Sequence, residues 1–201
     1  MNRKIGMYSS VINLTAVIGF AVCMLTDFSF GCYFSSMLIA FSFVAMTSAY
    51  TQFSSSERKT AGYAALAFAS IYVAIILLVY FAQLTTVRLG ALNDQAQKLL
   101  DFQKMGLLFN YDMLGYALMS LSTFFAGLTV CPKTKADKWL KALLMIHGIF
   151  FISCLIVPLL GLFHANGSKW IGIAVLEFWC IYFCPIGALS FVHFKNKTET
   201  I

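Results

Sequence analysis

Long apolar stretches alternate with short polar turns along the chain, and the length of the apolar stretches decides the first question. Six of them, at 5–26, 33–53, 61–84, 111–131, 139–163 and 170–193, reach the roughly 20 residues that a helix needs to cross a hydrocarbon layer of about 30 Å. No water reaches backbone groups in such a layer, so each run is expected to be helical despite its many β-branched and aromatic residues. The expected fold is all-α: one domain, 1–201, a polytopic membrane protein built as a bundle of six transmembrane helices. The connection 85–110 carries a pattern of its own. Leu89, Leu92, Ala96, Leu99 and Leu100 share one face, while Asp94, Gln97, Lys98, Asp101 and Lys104 turn away, which predicts an external amphipathic helix over about 86–104. Such a helix either lies among lipid headgroups or covers an outward-facing cavity.

Composition agrees with the pattern. At 60% hydrophobic and 11% charged, with a mean hydropathy of +0.82, the chain lies outside the range of soluble domains. Of the 14 Lys and Arg residues, an N-terminus in the cytoplasm puts Arg3, Lys4, Arg58, Lys59, Lys133, Lys135, Lys138, Lys141, Lys195 and Lys197 inside. Only Arg88, Lys98, Lys104 and Lys169 remain outside. Both termini are therefore expected in the cytoplasm. The net charge of +6 reads as a topology signal and an attraction to anionic headgroups, which excludes nucleic acid as the partner. The first run is longer than the apolar part of a signal peptide, roughly 7–15 residues, and is expected to stay attached. Of the six cysteines only Cys32 is expected at the outer surface, and no CxxC occurs, so no disulfide framework is predicted.

Candidate chemistry is sparse and sits mostly in the last run, where Glu177 and Pro185 interrupt an otherwise apolar helix. An ionisable group at membrane depth costs a few kcal/mol, which makes Glu177 the leading candidate for binding a ligand or ion. Glu177, Cys180, Cys184, Gly187 and Ala188 fall on one face, a small-residue strip that would turn the carboxyl inward. Pairing of the last two runs through the turn containing His164 sets Glu177 level with Cys154 and Pro158, and His147 near Pro185. Pro158 and Pro185 each free a carbonyl four residues earlier, which a protonated Glu177 could satisfy. Asp112, Asp27 and His147 complete the candidate set for a cation or small ligand, and Asn13 is expected to bond across to a neighbouring helix. Ser35, Ser36, Ala40, Ser42, Ala45 and Ser48 mark the second run as buried. Tyr63 and Tyr80 read as interfacial rings, and Gln83 as a boundary residue without a special role.

The three histidines, His147, His164 and His193, form no HxxxH or HExxH pair. With no GxSxG turn and no Gly-rich phosphate loop, the sequence points to no catalytic residue, no metal site and no cofactor. The basic RKTAGYAALAFA entry to the third run, the turn PKTKADKWLKALLMIHGIFF and a last helix with a glutamate and a terminal FK resemble small bacterial six-helix membrane proteins of unknown function. The resemblance spans roughly the last 140 residues. Asp137, Lys138 and Trp139 stand where that family has a Pro-Arg-Trp-like entry, and the arginine expected within the third run is missing. It implies a bacterial cytoplasmic membrane and the same topology, and no activity. The expected function is a carrier or binding protein for a small molecule or cation with a site near Glu177. The alternatives are an accessory subunit packed against another membrane protein or a second copy, and an intramembrane enzyme. The lipid bilayer is the partner common to all three.

Overall fold

The computed structural model describes residues 1–161 and 169–197. Among the described residues there are eight α-helices and no strand: α1 (Asn2–Leu25), α2 (Ser29–Gln52), α3 (Lys59–Ala82), α4 (Asp94–Leu100), α5 (Leu107–Thr129), α6 (Lys135–His147), α7 (Phe150–Leu159) and α8 (Lys169–Lys195). Five spans among them are long and apolar enough to cross a membrane: α1, α2, 56–87, the α6–α7 column and α8. α5 falls outside that set because Asn110, Asp112, Ser120, Ser122, Thr123 and Thr129 dilute its apolar character.

The helices close into a ring. α1 packs on α2 and α8, α3 on α2 and α5, α5 on α6 and α7, and α6 returns to α8. Rings from three helices meet in the middle, with Phe43 5.5 Å from Tyr72 and 6.5 Å from Phe183 between centroids. Seams use small residues to bring backbones close. A Cβ on Gly6 would lie 2.6 Å from the Phe194 ring and one on Gly187 3.1 Å from Leu14, which fixes the antiparallel contact of α1 with α8. Hydroxyls within the helices bond back to carbonyls of the preceding turn, as Ser10 does to Gly6 and Thr47 to Phe43, so they reach depth already satisfied. Others bridge helices: Asn13 donates to the Ile39 carbonyl and to Ser42, Ser122 to the Ala65 carbonyl, and Thr51 to the Gly62 carbonyl. The expected role of Asn13 as a helix-to-helix bond and the burial of α2 both hold.

The end of the ring that holds the start of α1 and the end of α8 is basic, and its cations do local work. Arg58 donates to the carbonyls of Leu128 and Val130 at the end of α5, and Lys59 to those of Thr51 and Gln52 at the end of α2. Cations at helix C-termini satisfy orphan carbonyls and oppose the helix dipole. Lys197, just beyond α8, lies 5.9 Å over the Phe53 ring, and burial holds its ammonium below the ordinary lysine value.

Two expected helices are interrupted. The amphipathic helix over 86–104 is instead a π-helical turn at Gln83–Val87, the short α4 capped by Asn93, and a 3-10 turn at Phe102–Lys104. Gly90, with a short irregular stretch after it, divides the amphipathic face. The column over 139–163 breaks at Gly148 and Ile149, where i→i+3 bonds to Met145 and Ile146 replace the α pattern. Pro158 and Pro185 both lie inside helices that continue through them. The end of that run at Phe163 and the turn with His164 lie outside the described residues.

Gln83 has the role the sequence denied it. Only 2% exposed, it donates from Nε2 to the Leu100 carbonyl at 2.7 Å and accepts from the Phe102 amide at 3.0 Å, pinning the segment after α4 to the end of α3. Phe102 is thereby seated among Tyr33, Tyr80 and Phe109, at centroid distances of 6.1, 5.9 and 5.3 Å. Replacing Gln83 with Leu leaves both backbone groups unpaired, so amide exchange at Phe102 should rise about tenfold or more. Unchanged protection of that amide would show that the aromatic contacts alone hold the segment.

Candidate functional site

Two kinds of polar cluster occupy the interior: closed ones, in which every group is paired, and an open one. The closed cluster at mid-height is built on His147, the last residue of α6, which is 1% exposed. Trp179 of α8 donates from Nε1 to His147 Nε2 at 3.0 Å, so that nitrogen is an acceptor. His147 Nδ1 therefore carries the proton and donates to Thr123 Oγ1 of α5 at 2.8 Å, and Thr123 passes its own proton to the Ser120 carbonyl. Phe150, Tyr182 and Phe183 surround the ring. Both nitrogens are committed, so the geometry makes His147 a strut joining α5, α6 and α8. Its neighbours on α8 are Trp179, Tyr182 and Phe183, placing it about one turn from Pro185.

A second closed cluster lies at the basic end. His193 Nδ1 and Asp137 Oδ1 are 2.6 Å apart, and Asp137 also accepts from the amides of Lys133 and Thr134 while Thr134 caps α6. Tyr50 joins Ser190 at 2.5 Å beside them. Neither pair stood out in the sequence, because Asp137 lay within a lysine-rich turn and His193 at a helix end.

The open cluster is at the opposite end, under Phe102. Asp112, on the second turn of α5, is 4% exposed. Its carboxyl is faced by the Tyr80 hydroxyl of α3, and the Tyr116 hydroxyl, one turn along α5, faces those of Tyr80 and Ser36. Oδ1 of Asp112 has no hydrogen-bond partner, and neither does the hydroxyl of Tyr72, whose ring lies 6.0 Å from that of Tyr116. No Lys, Arg or His among the described residues pairs with Asp112. A buried carboxyl ordinarily has a partner for each oxygen, so these exceptions need an explanation. Tyr72, Ile76 and Tyr80 recur at four-residue spacing on one face of α3, and Asp112 and Tyr116 at the same spacing on α5, a coincidence of faces that the sequence displays. Tyr80, expected at an interface, is 3% exposed and belongs to the interior.

Glu177 is placed elsewhere. It is half-buried on α8 near Cys180 and Cys32, and its Oε1 is enclosed without a partner. The strip expected to turn it inward is divided, since Cys180 and Gly187 are buried but Ala188 is exposed. The α8 residues that carry the interior are Trp179, Phe183, Ile186 and Ser190. α7 packs on α5 rather than on α8, with Cys154 within electrostatic reach of Asp112, so the expected facing of Glu177 toward Cys154 and Pro158 is lost. Asp27 is exposed in the turn between α1 and α2 with a left-handed φ of 56°. The four candidates thus divide among an open interior pocket, a helix seam, a surface turn and a closed strut. No group of three His, Cys, Asp or Glu among the described residues is arranged to hold a metal ion.

His147→Ala orphans the Trp179 donor and loosens Thr123, and should cost about 3 kcal/mol of stability in detergent, against about 1 kcal/mol for Trp179→Phe. Nitrogen NMR of labelled histidine should show His147 neutral with the proton on Nδ1; an Nε2-protonated ring would contradict the order of bonds from Trp179 through His147 to Thr123. Compared with protein-family models, curated proteins and solved structures, the chain finds no match.

Proposed function

We propose that the chain is a non-enzymatic membrane carrier or binding protein for a small molecule or cation, and that its working group is Asp112. The observation that carries this reading is a carboxyl 4% exposed, with no counter-charge and one oxygen unpaired, in the interior of a helical ring. Asn13 Oδ1 is also buried and unpaired, but it belongs to a neutral amide; an ionisable group left so is costlier, and such residues at membrane depth mark ligand and ion sites.

In this reading the bundle crosses the membrane six times, α5 being the sixth crossing whose polar residues are hidden by α2, α3 and α7. The basic end with Arg3, Lys4, Arg58, Lys59 and the lysines near α6 faces the cytoplasm, together with both termini. The Phe102 segment then lies outside as the cover of the site. The resemblance to small bacterial six-helix proteins supports the cytoplasmic membrane of a bacterium as the location. Glu177, in its seam beside Cys32 and Cys180, is a secondary carboxyl.

One observation favours a second reading, an accessory subunit: α7 buries none of its side chains, and Leu159 at its end is 82% exposed, a surface that another membrane protein would cover as well as lipid does.

The test is flux into liposomes that contain the purified protein, followed with a pH-sensitive and a sodium-sensitive dye under an imposed potential. Wild type should pass an ion, Asp112→Asn should lose at least about tenfold of the rate, and Glu177→Gln should keep most of it. If wild type passes nothing above empty liposomes, or the Asp112→Asn variant matches it, the carrier reading falls.

A further inference from the structure

Resting on Asp112 as the working group, we infer that its pocket takes one dehydrated monovalent alkali cation, of about the size of sodium, in exchange for the Asp112 proton. The donor set is the first argument. The Asp112 carboxyl is faced by the Tyr80 hydroxyl, the Tyr116 hydroxyl links Tyr80 to Ser36, and the unpaired Tyr72 hydroxyl belongs to the ring beside Tyr116, so carboxyl and hydroxyl oxygens outnumber the one thiol nearby, Cys154 of α7. Carboxylate and hydroxyl oxygens are hard donors that suit alkali and alkaline-earth ions and not the metals that prefer thiolate or imidazole.

Charge decides between the remaining ions. The pocket holds a single carboxyl, and Glu177 belongs to another seam, so a monovalent ion leaves it neutral. A divalent ion would leave a net positive charge in a buried site that holds a single carboxyl. Size excludes an organic ammonium. Tyr72, Ile76 and Met119 are each 0% exposed, and a Cβ on Gly115 would already stand 3.0 Å from Ile76, so the surroundings are too closely packed to admit a carbon skeleton.

The exchange balances. An isolated carboxylate is too costly to bury, so without an ion the pocket holds a neutral carboxylic acid. When a sodium ion enters, its charge replaces that of the proton, which leaves to solvent, and the hydroxyls replace part of the ion's hydration shell. Entry passes the segment that Gln83 pins and Phe102 plugs, which keeps bulk water from the ion once it is bound.

The experiment uses the full chain purified in detergent and lightly buffered near neutral pH, with sodium chloride compared with choline chloride at equal concentration. Sodium chloride should release up to about one proton per chain and raise the unfolding temperature. Choline chloride should do neither, and Asp112→Asn should abolish both responses. Tyr72→Phe, which keeps the ring and removes one donor, should raise the sodium midpoint about threefold to tenfold, so the inference stays testable if Asp112→Asn fails to fold. Equal responses to sodium and choline overturn it, as does a Tyr72→Phe midpoint equal to that of wild type. If sodium is without effect while the liposomes still pass protons through Asp112, this inference fails and the carrier reading stands. If sodium binds and nothing is carried, the carrier reading fails and the cation site stands.

Discussion

A carboxyl buried without a counter-charge is the constraint around which one end of this bundle is arranged. Asp112 lies on α5, whose polar residues are covered by α2, α3, α6 and α7. The cover is made of amphipathic groups. Tyr80 presents its hydroxyl to the carboxyl and Tyr116 its hydroxyl to Tyr80, both with rings toward the apolar walls, so the change from polar pocket to apolar wall happens within single side chains. Phe102 completes the enclosure from above, and Gln83 holds it there by satisfying both a carbonyl and an amide of the same strap.

The contrast between clusters gives Asp112 its meaning. His147 shows that this fold can bury a polar side chain and pair all of it, through a tryptophan donor on one nitrogen and a threonine acceptor on the other. Asp137 shows the same for a carboxylate, with two amides, a hydroxyl and an imidazole around it. Where the chain needed a strut it built a complete one, and fully paired networks rigidify the elements they join. Against those two, the unpaired Oδ1 of Asp112 and the idle hydroxyl of Tyr72 stand as bonding capacity kept for something that binds and leaves.

Most of the architecture was legible because a helix at membrane depth must be long, and length is visible in one sequence. The runs over α1, α2, α3 and α8 were found to within a few residues for that reason. Positions within the ring were not legible, because a helix apolar on nearly every side has no strong face to read. Glu177 drew attention as a lone charge in an apolar run, whereas Asp112 passed as a residue near a helix end. Depth along a helix is readable from sequence, but burial depends on which helices stand opposite. Tyr80 failed on the same ground, its place near an end suggesting an interface while α2 and the Phe102 strap enclosed it. Gln83 was illegible for a different reason: its partners are backbone groups 17 and 19 residues away, and no pattern announces such bonds.

The break in the α6–α7 column divides it into a half tied by side-chain hydrogen bonds and a half held by packing. Neither proline makes the break: Pro158 lies in the last turn of α7 and Pro185 within an unbroken α8. The bend falls at Gly148, directly after His147, where a Cβ would stand 2.9 Å from Phe124 and where i→i+3 bonds keep the backbone satisfied through the change of direction. Below the bend, α6 is tied to α5 and α8 by His147 and Tyr182, the latter donating to the Leu143 carbonyl at 2.7 Å. Above it, α7 rests on α5, with no buried side chain of its own and Cys154 toward Asp112. The two halves still meet at the strut, because Phe150, the first residue of α7, lies beside the His147 ring and edge-on to Tyr182, so the aromatic shell of the closed cluster spans the bend.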